Sequence, residues 1–425
     1  MNFHKGLGYT FDSCKEDGEY RRLIVKTNEK INRVARALAF ERTGGSPEEA
    51  RAGKMISEIL RDFGLSPKTE TFRIKRAKAM SARLLVGGRE LPCSPYELTG
   101  SGEPEGELVF IKNPEDPEKD VKGKIVLING LMRGKFYKTL KNEGALGFVC
   151  VRSPHGEIRG PILSQEAFEE CGELPGVMVD YEVGRVLREA GSARIIKREE
   201  IVPVSSRNIL AEIKGVERPE ESVLFTAHYD SVPGSPGVID NLGGTIALLL
   251  LGERLAKSRP RRTARLVFCG SEERGLLGSK AHAKKHSLER ILWVVNIDIL
   301  GDVLGKEFCM VIGGDEALSF VEHLAKEMGF PLKAERNIYS SDSMPFARAG
   351  IPSFNIGSGG AGSHLCHTTQ DDLSNFSAAA ISESMEFITA LSERLLFAKR
   401  FPLRREIPDD IRKKVEEYFE ERTGK

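Results

Sequence analysis

Between residues 224 and 301 the chain reads LFTAHYDSVPGSPGVIDNLGGTIALLLLGERLA, then ARLVFCGSEERGLLGS, then ILWVVNIDILG. Three short apolar runs, at residues 223–227, 264–269 and 292–297, are separated by longer helical patterns. Runs rich in Val, Leu and Ile at this spacing predict buried strands of a parallel sheet. We therefore expect an α/β fold whose mostly parallel central sheet is flanked by helices.

Side chains that can bind a metal ion follow each of these predicted strands. His228 and Asp230 follow the first strand, Glu272 and Glu273 the second, and Asp298 the third. In open α/β sheets, ligands bind in the crevice outside the carboxyl ends of the strands. Separate strand ends would therefore bring these side chains to one place.

Two further candidates lie in loops. Asp240 precedes the helical pattern that begins near Gly243, and His367 lies in SHLCHTTQDDL. Taken singly, such residues have ordinary explanations, because Asp-Asn before a helix is a common cap and a Glu-Glu pair is usually solvated. Together the candidates supply two histidines and three carboxylates, which suit a pair of divalent ions of the zinc type. One carboxylate remains beside a ligand, as a metal-assisted hydrolase requires.

Five short segments carry a resemblance to a known family. HYDS, GVIDN, SEERGLLGS, NIDILG and HTTQDDL resemble, in order and spacing, the signatures of the co-catalytic dizinc exopeptidases of peptidase clan MH. That group includes the bacterial zinc aminopeptidases and glutamate carboxypeptidase. The resemblance covers roughly residues 42–76 and 206–396, and it implies the zinc exopeptidase fold.

The resemblance also implies two Zn²⁺ ions per chain, with Co²⁺ or Mn²⁺ as substitutes. His228 and Asp298 would bind one ion, Glu273 and His367 would bind the other, and Asp240 would bridge them. A bridging carboxylate lowers the repulsion between two dications, and the pair can acidify a shared water molecule.

Other roles follow from the same resemblance. Glu272 would be the general base that takes a proton and returns it to the leaving amine. Asp230 would orient His228 and fix its tautomer. Asp342 and Asp371 would shape the site from behind the ligands. Tyr339 is a candidate oxyanion donor.

One position departs from part of the family. In the glutamate carboxypeptidase branch a tyrosine precedes the last histidine ligand, whereas Cys366 precedes His367 here. A thiol is a poor hydrogen-bond donor, so this difference disfavours the carboxypeptidase interpretation.

The choice of the last ligand rests on its neighbours. His364 competes with His367, but Gly362 and the turn-like surroundings disfavour a helix that would place both on one face. The TTQDD that follows His367 favours this residue. The other histidines are predicted to be surface or helix residues: His4, His155, His282, His286 and His323.

The middle of the chain has a different pattern. Residues 81–203 contain GELVFIKNP, VKGKIVLING, GALGFVCVRS and ELPGVMVDYEVGRVLREAG, a series of short strands and turns. They resemble the protease-associated domain, a small β-rich insert found in several members of this family. We expect residues 1–80 and 204–400 to form the catalytic domain. Residues 401–425 are predicted to form a charged C-terminal helix.

Composition limits the partners of the protein. The 425 residues include 63 basic and 62 acidic ones, a balance that argues against nucleic acid as a partner. No apolar window approaches the length of a membrane span, and the N-terminus lacks the apolar stretch of a signal peptide. Seven scattered cysteines without a CxxC pair fit a reducing compartment. We therefore expect a cytoplasmic protein with no membrane partner, and the sequence leaves its oligomeric state open.

The resemblance and the position of Cys366 predict an aminopeptidase that acts on short peptides. The same chemistry on another amide, in a carboxypeptidase, dipeptidase or deacylase, is the first alternative. A receptor-like binding protein built on an inactive peptidase scaffold is the second. Such inactive relatives lose ligands, whereas this chain keeps all five and the base. Serine chemistry is disfavoured because the chain has no GxSxG motif.

Overall fold

The computed structural model describes residues 13–114, 120–152, 161–360 and 362–424, with side chains described from residue 25 onward. Two of the predicted surface histidines, His4 and His155, lie outside the described residues, as does the side chain of Cys14.

The structure alternates strands and helices along most of its length. The helices are, in chain order, α1 (Ser13–Leu38), α2 (Pro47–Asp62), α3 (Gly134–Asn142), α4 (Gln165–Cys171), α5 (Tyr181–Glu189), α6 (Gly243–Ala256), α7 (Leu277–Lys285), α8 (Asp315–Met328), α9 (Met344–Arg348), α10 (Ala378–Phe397) and α11 (Asp409–Thr423). The strands are β1 (Lys68–Val86), β2 (Arg89–Leu91), β3 (Ser94–Pro95), β4 (Glu105–Ile111), β5 (Ile125–Asn129), β6 (Gly147–Val151), β7 (Gly176–Val179), β8 (Ser192–Ile213), β9 (Arg218–His228), β10 (Arg262–Cys269), β11 (Ile291–Ile297), β12 (Lys306–Ile312), β13 (Lys333–Glu335) and β14 (Ser353–Gly359).

The three apolar runs form β9, β10 and β11, which confirms the predicted α/β sheet. The strand order in this part of the molecule is β13-β12-β14-β11-β9-β10-β8. Strand β9 pairs in parallel with β10 and β11, and β11 pairs in parallel with β14. The carboxyl ends of these four neighbouring strands therefore lie at the same edge of the sheet.

Helices cover both faces of the catalytic sheet. Helix α6 is apolar around nearly its whole circumference, and it is buried in the main core with parts of α1, α2, α8 and α10. On the other face, α7 and α9 pack against the sheet, with Phe346 and Ile351 fully buried there. Among the described residues, no helix has the length and apolar character needed to cross a bilayer.

Two long strands carry the chain into and out of the insert. Strands β1 and β8 pair in antiparallel fashion from Lys68 opposite Leu210 to Leu85 opposite Arg194. Within the insert, β4, β5, β6 and β7 form a parallel sheet that packs with helices α3, α4 and α5. The limits proposed at residues 81 and 203 stay a prediction, because both fall inside these continuous strands.

The C-terminal helix lies between the two parts of the molecule. Ile411 and Val415 of α11 are buried in a cluster with Met344 and Ala347 of α9, in the catalytic part. The other end of α11 contacts α3 and α4 of the insert. A Cβ atom added to Gly134, at the start of α3, would lie 2.3 Å from the carbonyl oxygen of Arg422. The end of α11 is therefore in backbone contact with the insert.

Candidate metal centre

The strand ends bring five candidate ligands together around the carboxylate of Asp240. His228 is the last residue of β9, Asp298 follows β11, and Glu273 lies in the turn after β10. His228 Nε2 lies 3.1 Å from Asp240 Oδ1 and 3.3 Å from Asp298 Oδ1. These three side chains are buried and form one candidate metal-binding group.

The other oxygen of Asp240 faces a second group. His367 Nε2 lies 3.1 Å from Asp240 Oδ2 and 3.1 Å from Glu273 Oε2. His367 is 48% exposed whereas His228 is 1% exposed, so the second group faces the solvent and the first faces the core. Asp240 thus presents one oxygen to each group, which is the geometry expected of a bridging ligand. The individual ligand roles stay a prediction.

The donor set fits a pair of divalent cations. Buried atoms of three candidate ligands, His228 Nδ1, Glu273 Oε1 and Asp298 Oδ1, have no hydrogen-bond partner in the described structure. Burial and the neighbouring carboxylates raise the pKa values of Glu272 and Glu273 above the ordinary range. Clustered buried carboxylates of this kind need compensating positive charge. Imidazole nitrogen and carboxylate oxygen are ligands that zinc accepts.

Glu272 lies slightly outside the ligand contacts. Its Oε2 atom is 4.0 Å from His228 Nε2, farther than the oxygens of Asp240 and Asp298 are from the same nitrogen. Its carboxylate lines the cleft that contains the candidate ligands. Glu272 is therefore placed beside the metal ligands with a free face toward the cleft, as a general base must be.

Asp230 acts mainly on the loop that carries these two glutamates. Its Oδ1 accepts a hydrogen bond of 2.9 Å from the backbone N–H of Glu272, and its Oδ2 accepts one of 3.3 Å from that of Glu273. The distance from Asp230 Oδ1 to His228 Nδ1 is longer, at 3.6 Å. Asp230 therefore positions the candidate base and one ligand as well as facing His228.

Asp371 does the same for the loop that carries Asp240. Its carboxylate accepts hydrogen bonds from the backbone N–H groups of Val238, Ile239 and Asp240, at 3.0, 2.7 and 3.1 Å. Burial raises the pKa of Asp371 to about 7. The side chain of Asn241 completes the support by donating to the carbonyl of Ile297, 2.8 Å away.

Close packing of helix α6 on β11 fixes the same loop. A Cβ atom added to Gly244 would lie 2.3 Å from Asn241 Oδ1 and 2.6 Å from the carbonyl oxygen of Ile297. Only glycine permits this approach.

Residues with left-handed backbone also flank the site: Ser271 before the glutamates, Ile299 after Asp298, and His367 itself. Such conformations in residues other than glycine concentrate at functional sites.

Two buried residues near the centre were not predicted as site residues. Arg42 Nε donates to the carbonyl of Tyr229 at 2.7 Å, and its Nη2 donates to that of Gly237 at 2.9 Å. Its guanidinium thereby holds the segment that leads from β9 to Asp240. Glu49 accepts hydrogen bonds from Ser206 and from Ser271, next to Glu272. Both residues lie in the RTGGSPEE segment at 42–49, which was the signal available in the sequence.

The remaining candidates take separate positions. Asp342 is fully buried and both its carboxylate oxygens lack hydrogen-bond partners, while burial raises its pKa to about 7. Tyr339 lines the cleft. Burial and the nearby charges of Asp298, Asp240 and Glu272 raise the pKa of its hydroxyl. His364 is exposed in a short 3₁₀ turn and belongs to none of the candidate ligand groups among the described residues.

His282 lies on helix α7, in agreement with the prediction of a surface or helix residue, and it has buried polar partners. His282 is buried, and its Nδ1 lies 3.0 Å from Oε1 of Glu70 on β1. His286 Nε2 contacts the other oxygen of Glu70, and Asn208 donates to Glu70 at 2.9 Å. The carboxylate oxygens of Glu70 have hydrogen-bond partners within this cluster, whereas several atoms of the candidate ligands have none. The cluster therefore joins α7 to β1 and β8.

Comparisons with known proteins identify two families and several related sequences. Residues 208–392 match the model of peptidase family M28, and residues 99–187 match the PA domain. The chain is 27% identical over 414 residues to the aminopeptidase YwaD of Bacillus subtilis, covering 92% of this chain and 88% of that protein. It is 26% identical over 292 residues to the "probable lipoprotein aminopeptidase LpqL" of Mycobacterium tuberculosis, covering 64% and 57% of the two. The chain thus spans little more than half of that second relative.

Solved structures share the fold. The aminopeptidase from Aneurinibacillus sp. strain AM-1 superposes with a TM-score of 0.74 at 20% identity, covering 88% of this chain and 95% of that one. The zinc aminopeptidase BSAP from Bacillus subtilis gives a TM-score of 0.73 at 24% identity, covering 91% and 98%. Both matches extend over the catalytic part and the insert.

We expect Glu70→Gln to lower the free energy of unfolding by about 1–3 kcal/mol at pH 7, because glutamine keeps one acceptor oxygen but replaces the other with an NH2 group that cannot accept a hydrogen bond. Burial raises the pKa of Glu70, but hydrogen bonds from His282, Asn208 and His286 outweigh it and lower the pKa to about 2. Because the folded-state value is depressed, this stabilisation is complete above the ordinary value of 4.5 and is lost as the pH falls toward 2.

Urea unfolding of chelator-treated protein at several pH values measures this difference. Glu58→Gln is the matched control, since Glu58 is exposed and forms only a 3.9 Å surface ion pair with Lys54. That control should change stability by no more than about 0.5 kcal/mol. Equal effects of the two substitutions at pH 7 would refute the role assigned to the buried cluster.

Proposed function

Because this chain belongs to peptidase family M28, with a PA domain inserted into the catalytic part, we propose that it is a zinc-dependent aminopeptidase acting on short peptides. The observation that carries the proposal is the arrangement around Asp240, whose two oxygens each lie 3.1 Å from a histidine nitrogen. YwaD, the relative that is 27% identical over 414 residues, is an aminopeptidase, which favours the aminopeptidase over the other exopeptidases.

We further propose that two ions bind per chain. His228 and Asp298 would hold the buried ion, Glu273 and His367 would hold the exposed ion, and Asp240 would bridge them. Zinc is the expected metal, and Co²⁺ or Mn²⁺ are proposed substitutes. When bound, such ions polarise the scissile carbonyl and acidify water near neutral pH.

Side chains of the protein would carry out the proton transfers. Glu272 would take a proton from the attacking water and deliver it to the nitrogen of the leaving amine. Asp230 holds the backbone of Glu272 in place through its 2.9 Å hydrogen bond, so that the carboxylate stays directed at the cleft. The Tyr339 hydroxyl, beside these groups, is proposed to donate a hydrogen bond to the developing oxyanion.

The residue before the last candidate ligand favours recognition of a free amino terminus. Cys366 stands there in place of the tyrosine of the carboxypeptidase branch, and a thiol is a poor hydrogen-bond donor. We also propose that the protein acts in the cytoplasm, on the basis of its scattered cysteines; cell fractionation tests this location.

We expect the zinc-loaded protein to cleave an aminoacyl p-nitroanilide and the first bond of an unblocked tripeptide, but not the N-acetylated forms of either. Acetylation blocks the terminal nitrogen and removes the positive charge that marks a free amino terminus. Chelation should abolish activity, and added Zn²⁺ should restore it. Product analysis by mass spectrometry measures the outcome. Cleavage of N-acetylated peptides at the same rate, or release of residues from the carboxyl end, would contradict the aminopeptidase assignment.

Glu272 and Glu273 are adjacent, yet their substitution should have different effects. Glu272→Gln removes the basicity that proton transfer requires, so kcat should fall by about 10²–10⁴-fold while both ions stay bound. Glu273→Gln replaces a charged ligand with an amide, so the metal content should fall. Elemental analysis and steady-state kinetics separate the two effects.

The control for this pair is Glu289→Gln, since Glu289 is exposed and lies outside the cleft. It should keep both kcat and metal content. Loss of metal in Glu272→Gln, with full metal content in an inactive Glu273→Gln, would mean that the base and the ligand are exchanged.

A further inference from the structure

The cleft over the metal centre has walls from three parts of the chain. Its volume is about 610 Å³, within the range of about 300–1,000 Å³ typical of small-ligand sites. The catalytic part contributes the candidate ligands and Tyr339. The insert contributes Tyr96, Met132 and Arg133, and helix α11 contributes Tyr418 and Arg422. A space of this size, closed on several sides, suits a peptide of only a few residues.

Most cations that line this cleft are already neutralised or engaged. Arg274 makes two hydrogen bonds to Glu97, at 2.8 and 3.1 Å, and Lys280 lies 2.5 Å from Glu166. Arg152 donates to the carbonyl of His367 at 3.2 Å. These side chains have defined partners within the protein, so they are not the best candidates for substrate binding.

Arg133 and Arg422 differ from these cations. Arg133 Nε lies 3.6 Å from Glu421, a side chain that is 61% exposed. Arg422 makes no ion pair with any described residue, and its guanidinium lies over the ring of Tyr418, 4.5 Å from the centroid. Burial and the nearby charge of Arg422 lower the pKa of Arg133. Among the described residues, one exposed carboxylate therefore pairs with Arg133 and none pairs with Arg422, so the two arginines together keep excess positive charge.

The backbone holds these two arginines in fixed positions. Arg133 directly precedes α3, and the carbonyl of Arg422 abuts Gly134, the first residue of that helix. Tyr418 Oη lies 2.9 Å from Ser340 Oγ, in the segment that also carries Tyr339. Arg422 is thereby connected, through the Tyr418 ring, to the wall of the metal centre.

The positive charge on the insert and on α11 matches a free carboxyl terminus. Arg133 and Arg422 line the same cleft as the candidate ligands, and one exposed carboxylate, that of Glu421, lies beside Arg133. A short peptide with a free carboxyl terminus carries a negative charge at that end. Guanidinium forks bind carboxylates with two parallel hydrogen bonds, which lysine cannot reproduce.

We propose that Arg133 and Arg422 form a subsite that binds the free carboxyl terminus of a short peptide whose amino end lies at the metal centre. The proposal rests on the proposed function for the direction of the peptide. It assigns to the insert and to α11 a direct part in substrate selection. Peptides that lack a terminal carboxylate, or that are too long to place it there, are poorer substrates.

The test compares one tripeptide in two forms, with a free carboxyl terminus and with a C-terminal amide. The wild-type protein should favour the free form through a lower KM. Arg422→Gln should raise KM for the free tripeptide about tenfold or more, as expected for loss of a charge-assisted hydrogen bond, with little change in kcat. The KM of the amide should stay the same. Arg133→Gln should act in the same direction, and Arg422→Lys should rescue only in part.

Lys413→Gln is the matched control, since it removes one positive charge from the same helix at a side chain that is 78% exposed and outside the cleft. For this variant, the ratio of the KM for the free tripeptide to the KM for the amidated tripeptide should equal the ratio for the wild type. Thermal unfolding of each variant shows whether α11 remains docked, and only variants that unfold like the wild type are compared. An Arg422→Gln variant that affects both tripeptides equally, or neither, would overturn the proposal.

A third substrate distinguishes the two sources of a carboxylate. If a C-terminally amidated tripeptide with a glutamate side chain depends on Arg422 while the free terminus does not, the terminal assignment is wrong. The failure of the proposed function has a different signature. Release of residues from the carboxyl end would refute the aminopeptidase, whereas a KM ratio that still depends on Arg422 would support the subsite.

Discussion

The contact of one carboxylate, that of Asp240, with a histidine on each side determines how the rest of the site is built. It requires the loop before α6 to meet the ends of three strands. In two loops, the one that carries Asp240 and the one that carries Glu272, a buried carboxylate that is not a predicted ligand accepts hydrogen bonds from the backbone. Asp371 accepts three backbone N–H groups around Asp240, and Asp230 accepts two around Glu272. Hydrogen bonds from backbone N–H groups to a buried carboxylate therefore position both the bridging residue and the candidate base.

Sequence patterns predicted the parts of the structure that depend on local order. The apolar runs identified β9, β10 and β11, and the rule that parallel strands end at one edge predicted that their polar neighbours would meet. Contacts between distant segments were not predictable in this way. Arg42 binds the carbonyl of Tyr229 across 187 residues of sequence, and Glu70 binds His282 across 212. No periodicity encodes such partners, so Arg42 was overlooked and the partner of His282 was not predicted.

The insert and the last helix form part of the cleft that contains the candidate ligands. Strands β1 and β8 continue without a break from one sheet into the insert, and α11 packs against both parts. Their side chains complete the walls of the cleft above the metal centre. The candidate catalytic groups therefore share one cleft with side chains of the insert and of α11.

Anomalous X-ray scattering, recorded on both sides of the zinc absorption edge from crystals of zinc-reconstituted protein, tests the central claim most directly. The account predicts two peaks that flank the carboxylate of Asp240. One peak should lie beside His228 and Asp298, and the other beside Glu273 and His367. A single peak that Asp240 does not bridge, or zinc bound only at Glu70 and its histidines, would contradict the account.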